Sequence, residues 1–227
     1  MSFPTEYRRN LPHIIPPGGT FFVTFRLKGS VPKHIAQALL EEYERENLII
    51  KNLSKISERK LLLNENQNNY FEDFDNYLDT QSTGPHWLRI AKIAELVGEA
   101  IEFRDGTHYN LIAYCIMSNH VHMIFTVQRD DIPLYKILGS LKRHAARQAN
   151  ILLNREGAFW QAESYDHLIR DRNELSRTID YVLNNPVKAN LISNWRDWKY
   201  SYVKENYMDS KYSAQRITNP LDEIDLL

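Results

Sequence analysis

Two runs of strand-forming residues, 109–117 and 120–127, are separated by only Ser118 and Asn119. Strands this close in sequence can pair only as an antiparallel hairpin, because a parallel connection needs a crossover of a dozen or more residues. This hairpin is expected at the centre of an antiparallel sheet, and the rest of the chain must supply neighbouring strands and a covering layer. Residues 20–27 follow the breaker cluster Pro16, Pro17, Gly18 and Gly19 and are rich in β-branched and aromatic side chains, which predicts a first strand. Residues 165–169 predict a further short one.

Helical spacing accounts for most of the remainder. Pro32 opens a highly charged helical stretch to about Leu63, while residues 64–84 are polar and acidic, a loop or a peripheral helix around Tyr70 to Tyr77. Pro85 is expected as the first residue of a helix with Trp87, Ile90, Ala91, Ala94, Val97 and Ile101 on its apolar face. Leu134, Ile137, Leu138, Leu141, Ala145 and Leu152 mark another. The last has Asp171 and Glu174 as a capping box, a stripe of Leu175, Ile179, Val182 and Leu183, and a stop at Pro186. This order predicts an α+β fold, a ferredoxin-like antiparallel sheet with helices packed on it. One domain is expected over residues 1–205, with an inserted helical or acidic segment at about 45–84 and a C-terminal tail, 206–227.

Composition narrows the chemistry. No apolar run in the 227 residues reaches membrane-spanning length and no secretory signal opens the chain, so a cytoplasmic protein is expected. Cys115 is the only cysteine, which excludes an intrachain disulfide and a cysteine zinc cluster. A formal charge of -1 argues against a generic nucleic-acid binder. The charge is unevenly distributed, however: Lys136, Lys142, Arg143, Arg147 and Arg155 lie in an acid-free stretch, 132–155, and Glu65, Glu72, Asp73, Asp75 and Asp79 in a base-free one, 64–85. The candidate DNA-binding residues are Lys136, Lys142, Arg143 and Arg147, with a solvated helix face as the ordinary alternative.

Two further features carry chemistry. In a strand, His120 and His122 project to one side and Val121, Met123, Phe125 and Val127 to the other, so the two imidazoles can chelate one divalent ion. Alone, such a pair is a weak signal. On the last helix, Tyr181 falls roughly opposite the apolar stripe, with Asn185 one turn further on. An exposed or interface tyrosine is the ordinary use, in a chain that holds 13 of them.

Residues 114–122 (YCIMSNHVH), 157–170 (GAFWQAESYDHLIR), 180–192 (DYVLNNPVKANLI) and 195–202 (WRDWKYSY), in this order, resemble the REP-associated tyrosine transposases of the HUH single-tyrosine class. Residues 84–88 (GPHWL) and the first strand fit as well, so the resemblance covers about 17–203. It implies that His120 and His122 are metal ligands, that Asn185 takes the place of a third ligand and that Tyr181 is the nucleophile. The implied activity is metal-dependent cleavage and rejoining of single-stranded DNA near hairpins or palindromic repeats, through a 5′-phosphotyrosine. Mg²⁺ or Mn²⁺ is the implied cofactor, since either can polarise a phosphate oxygen. The implied partner is single-stranded DNA, with no membrane and with room for a homodimer. Two other readings are a hairpin-binding or regulatory protein on the same fold that does not cut, and a metal phosphodiesterase using water.

Overall fold

The structure, a computed structural model, describes residues 6–8, 12–14, 18–80, 83–128 and 132–208. Most of the expected tail, 206–227, lies outside these. Two compact units are formed, one from the residues up to Arg26 and from Trp87 onward, the other from Leu27–His86. The insertion expected at about 45–84 falls within the second.

The first unit is built on a five-stranded antiparallel sheet. In chain order its strands are β3 (Thr20–Arg26), β4 (Tyr109–Ile116), β5 (His120–Val127), β6 (Tyr165–Ile169) and β7 (Ser201–Val203), after a separate pair, β1 (Glu6–Arg8) and β2 (Pro12–Ile14). The spatial order is β6-β3-β5-β4-β7. The hairpin is the nucleus: Met117 N bonds His120 O at 2.9 Å across the two-residue turn, and β5 is the central strand. With α3 (Ala91–Glu102) before the hairpin and α4 (Leu134–Leu152) after it, the run β3-α3-β4-β5-α4-β6 is the ferredoxin-like α+β arrangement. Helix α5 (Arg172–Lys188) and β7 extend it at the β4 edge.

Each sheet face takes a different cover. Phe21, Val23 and Phe25 of β3 share a face with Val121, Met123 and Phe125 of β5, and all are buried. Here α3 packs, receiving the Tyr109 hydroxyl on Ile101 O (2.6 Å) and the Tyr114 hydroxyl on Glu102 (2.7 Å), with α4 beside it. Helix α5 packs on β4, β5 and β7.

Several expected boundaries differ. Ile90 is the cap of α3 and is exposed, so the helix opens at Ala91 and not at Pro85; a short 3-10 turn, Trp87–Arg89, stands between. Leu152 ends α4 exposed instead of extending its stripe. Pro186 lies inside α5, which runs on to Lys188: in the last turn proline removes a single donor, and Ala189 N still bonds Asn185 O.

The second unit holds α1 (Lys33–Lys51) and α2 (Ile56–Thr80), so the helical stretch expected to run to about Leu63 breaks after Lys51, and of the two alternatives for the acidic stretch the helix around Tyr70 to Tyr77 is the one formed, as part of α2. The chain turns at Asn52–Leu53, whose N–H groups return to Ile49 and Ile50. The two helices meet through Asn66 donating to Tyr43 O (3.0 Å) and Asn47 Oδ1 (3.2 Å), and through the Tyr43 and Tyr70 rings. A contact made of amides and phenols leaves no apolar period, which is why the sequence of the acidic stretch is compatible with a loop as well as with a helix. Among the described residues no helix is long and apolar enough to cross a membrane.

Candidate functional site

The register of β3 against β5 sets the site. Arg26, Thr24, Phe22 and Thr20 pair with His120, His122, Ile124 and Thr126, and these form the face opposite the apolar one. As strand alternation predicts, the two imidazoles project together: their Nε2 atoms are 2.9 Å apart, and both rings are buried. Helix α5 brings Tyr181 to the same face, its ring centroid 5.8 Å from that of His122 and 6.1 Å from that of Phe22.

Each histidine is oriented through its other nitrogen. His120 Nδ1 lies 2.7 Å from Asn119 Oδ1, and His122 Nδ1 lies 2.7 Å from Thr24 Oγ1. An amide oxygen only accepts, so His120 Nδ1 carries the proton and its Nε2 presents a lone pair. The threonine hydroxyl can accept from His122 in the same way, which leaves two lone pairs facing each other. A shared proton or a cation removes that repulsion. Two nitrogens bound at a right angle to one ion, each at about 2.05 Å, stand about 2.9 Å apart, so the pair fits a divalent metal.

Helix α5 is clamped where it starts. Asp171 Oδ1 accepts Glu174 N at 2.8 Å, the expected cap. Glu174 then reaches back, Oε2 to Arg170 N (2.6 Å) and Oε1 to His167 Nε2 of β6 (2.7 Å). Burial alone would raise the Glu174 carboxyl, but the His167 and Arg170 N–H donors and the neighbouring positive charge outweigh it and hold its pKa below the ordinary value. Further along, the buried stripe extends beyond Leu183 to Asn185 and Pro186. Tyr181 consequently flanks the sheet-facing stripe, half-buried, instead of standing opposite it. The ammonium of Lys188, seven residues on, sits 5.4 Å from the Tyr181 ring centroid.

On α4, Lys136, Arg143 and Arg147 are exposed, whereas Lys142 is half-buried. Its Nζ donates to Gln161 O (2.7 Å), Ala162 O (3.1 Å) and Ser164 Oγ (2.9 Å), three bonds for an ammonium with three protons. Lys142 thus fastens the 161–164 loop to α4. Thr24, Asn119, His167 and Glu174 support the candidate residues, and sequence reasoning assigned none of them a place beside the site. Lys188 was within reach of helix arithmetic, since seven residues are close to two turns.

The family profile described as "Transposase IS200 like" matches residues 91–185, which span α3 to Asn185. A Haemophilus influenzae protein, named among the REP-associated tyrosine transposases, is 30% identical over 135 residues, covering 52% of this chain and 77% of the relative. The chain belongs to the REP-associated tyrosine transposases. A REP-associated tyrosine transposase of Escherichia coli is 26% identical over 104 residues, 44% of this transposase and 58% of that one. Among solved structures, a REP-associated tyrosine transposase bound to a REP hairpin shares the fold, with a TM-score of 0.51 at 17% identity over 87% of this chain and 82% of its own.

Proposed function

We propose that this transposase cuts and rejoins single-stranded DNA beside a hairpin, with Tyr181 as nucleophile and His120, His122 and Asn185 as ligands of Mg²⁺ or Mn²⁺. The observation that carries this reading is one shared sheet face holding two convergent imidazole nitrogens and, 5.8 Å from the His122 ring, the Tyr181 ring. Hairpin DNA as partner is supported by the hairpin bound to the structural neighbour and by the family's association with REP sequences.

The reaction needs few parts. The Tyr181 oxygen attacks the phosphorus, a Tyr–O–P bond forms, the bond from phosphorus to the 3′ oxygen breaks, and the DNA is left as a 5′-phosphotyrosine and a free 3′-hydroxyl. The phenolic proton leaves to solvent or a base, and the departing oxygen gains one. Attack of a 3′-hydroxyl on the phosphotyrosine reverses these steps and rejoins DNA. A bound divalent ion supplies charge at a non-bridging phosphate oxygen, offsetting what develops in the transition state. The protein positions the rest: α5 holds Tyr181 against His122 and Phe22, and Lys188 adds positive charge beside the phenol.

The test is a labelled hairpin oligonucleotide with single-stranded flanks, incubated with protein and Mn²⁺. The expected product is a covalent adduct on the peptide carrying Tyr181, absent in Tyr181→Phe, which still binds the oligonucleotide. His120→Ala and His122→Ala are expected to bind DNA without forming the adduct. An adduct on Tyr165, or cleavage undiminished in Tyr181→Phe, overturns the assignment in favour of a water-using phosphodiesterase.

A further inference from the structure

Among the five strands of the sheet, one side chain carries a permanent positive charge. Read through β3, β4, β5, β6 and β7, the sequence holds a single arginine or lysine, Arg26, at the last position of β3. Its place is set by register. Arg26 is the partner of His120, so it lies on the histidine face, where directly paired side chains have Cβ atoms about 4.5–5.5 Å apart. Its backbone is pinned on both sides: to β5 through that pairing and, where β6 no longer pairs with β3, through Gln161 N donating to Arg26 O at 2.8 Å. The side chain is half-buried. A guanidinium partly withdrawn from water is used where its planar fork meets a carboxylate or a phosphate.

Along β3 the site has a direction. Phe22, Thr24 and Arg26 succeed one another on this face, and at about 3.4 Å rise per residue the first and last stand about 14 Å apart. Phe22 touches Tyr181, their ring centroids 6.1 Å apart; Thr24 bonds His122; and Arg26 pairs with His120. The candidate nucleophile and the arginine therefore stand at opposite ends, with the imidazole pair between them. Lys188, the cation beside the Tyr181 ring, belongs to the tyrosine end. An in-line displacement at phosphorus puts the attacking and departing oxygens on opposite sides. Attack from Tyr181 over the histidines thus sends the 3′ oxygen, and the strand attached to it, toward Arg26.

We propose that Arg26 holds the departing strand: its guanidinium binds the phosphate next to the scissile one on the 5′ side. The polarity with which single-stranded DNA crosses the sheet follows, with the departing strand toward the β4–β5 turn and the covalently held strand toward Lys188. This rests on the DNA-cleaving reading above and adds to it the direction of the substrate and the residue that fixes it. Arginine suits holding and not proton transfer, because it stays charged, and the departing oxygen takes its proton from solvent. Holding matters for the second half of the reaction. A cut strand kept beside the phosphotyrosine presents its 3′-hydroxyl for rejoining without a new encounter.

The test pairs a change in the protein with a change in the DNA. The cleavage position is first mapped from the adduct that the parent forms with Mn²⁺. Oligonucleotides carrying one uncharged methylphosphonate linkage at a time, on either side of the scissile phosphate, are then titrated against Tyr181→Phe with and without Arg26→Met, so that DNA is bound and not cut. On the fully charged oligonucleotide Arg26→Met is expected to bind about tenfold more weakly, the loss of one charge-assisted phosphate contact. With the first linkage upstream of the scissile phosphate made neutral, the two proteins should bind equally, which also shows that Arg26→Met is folded. At every downstream linkage the tenfold difference should persist. Arg26→Lys, which keeps the charge without the fork, is expected to fall between. A difference that vanishes at any other linkage overturns the proposal, and one that persists at all linkages, or is never seen, makes Arg26 a structural residue. Absence of an adduct from the parent refutes the cleaving reading itself, whereas an adduct without this coupling refutes only the role of Arg26.

Discussion

Replacing Thr24 by valine separates the orientation of a histidine from its presence. Valine keeps the β-branched shape in β3 and the packing beside His122, but removes the oxygen 2.7 Å from Nδ1. Thr24 is 6% exposed, so little water can replace it, and the Nδ1 proton is left buried without an acceptor. That loss is worth about 1–3 kcal/mol, and outer-shell losses of this kind weaken metal binding about 10- to 100-fold. The complementary change is Asn119→Asp, which puts a carboxylate where an amide oxygen now meets His120 Nδ1 at 2.7 Å and makes the imidazole a stronger donor. Calorimetric titration of chelator-treated protein with Mn²⁺ should therefore rank Asn119→Asp at or above the parent and Thr24→Val about 10- to 100-fold below it. Adduct formation by Thr24→Val should recover at high Mn²⁺. Equal Mn²⁺ affinity in all three proteins would refute the claim that these bonds hold the imidazoles for a metal.

Glu174→Gln should lower stability near neutral pH. The Glu174 carboxyl is held below its ordinary pKa, so its contribution is full above the ordinary carboxyl pKa of about 4.3 and lost as pH falls through the folded value; melts of parent and variant should converge once the pH is below that folded value, and a constant gap would count against this. Reversing Arg143 and Arg147 together to glutamate should flatten the salt dependence of single-stranded DNA binding by about 1.4 in log–log slope if each meets a phosphate, and an unchanged slope would place the DNA elsewhere. Lys142→Met should act differently, lowering affinity with a near-parental slope, because its ammonium fastens the 161–164 loop. Gly98→Val should destabilise by about 1–3 kcal/mol, visible as a lower melting temperature, since even a Cβ at Gly98 would lie 3.2 Å from the Tyr114 hydroxyl oxygen.

What the sequence could reveal follows from the range over which each signal acts. The hairpin, the histidine pair and the α5 cap are local: they depend on alternation, a two-residue turn and a three-residue capping offset, and all three stand as read. Thr24 is 98 residues from His122, and only the β3–β5 register brings them together. Asn119 was visible as a turn residue, but its bond to His120 needs the strand's direction out of the turn. Pro186 was misread because the rule that proline ends helices weighs a lost donor without weighing burial, and here Asn185 and Pro186 continue the buried stripe. That extension also explains Tyr181: with Asn185 on the sheet side, a residue one turn earlier cannot face away from it.

The candidate nucleophile and the candidate ligands sit on different elements, the tyrosine on α5 and the histidines on β5, so their separation is set by how α5 docks. Docking is fixed at both ends of the helix. At its start, Glu174 joins Arg170 N and His167, and His167 is the register partner of Phe22, which touches both His122 and Tyr181. At its end, Asn185 and Pro186 are buried in the stripe. A small change in the Glu174 clamp therefore pivots Tyr181 while the histidines stay in the sheet, and a misplacement of about 1 Å in a reacting group can cost on the order of 100-fold in rate. This predicts a separation of effects: substitution at Glu174 should slow adduct formation at saturating Mn²⁺ without changing Mn²⁺ affinity, whereas Thr24→Val should do the reverse. Parallel losses in both quantities for both variants would mean that α5 and the histidines move as one body, and that the clamp has no positioning role.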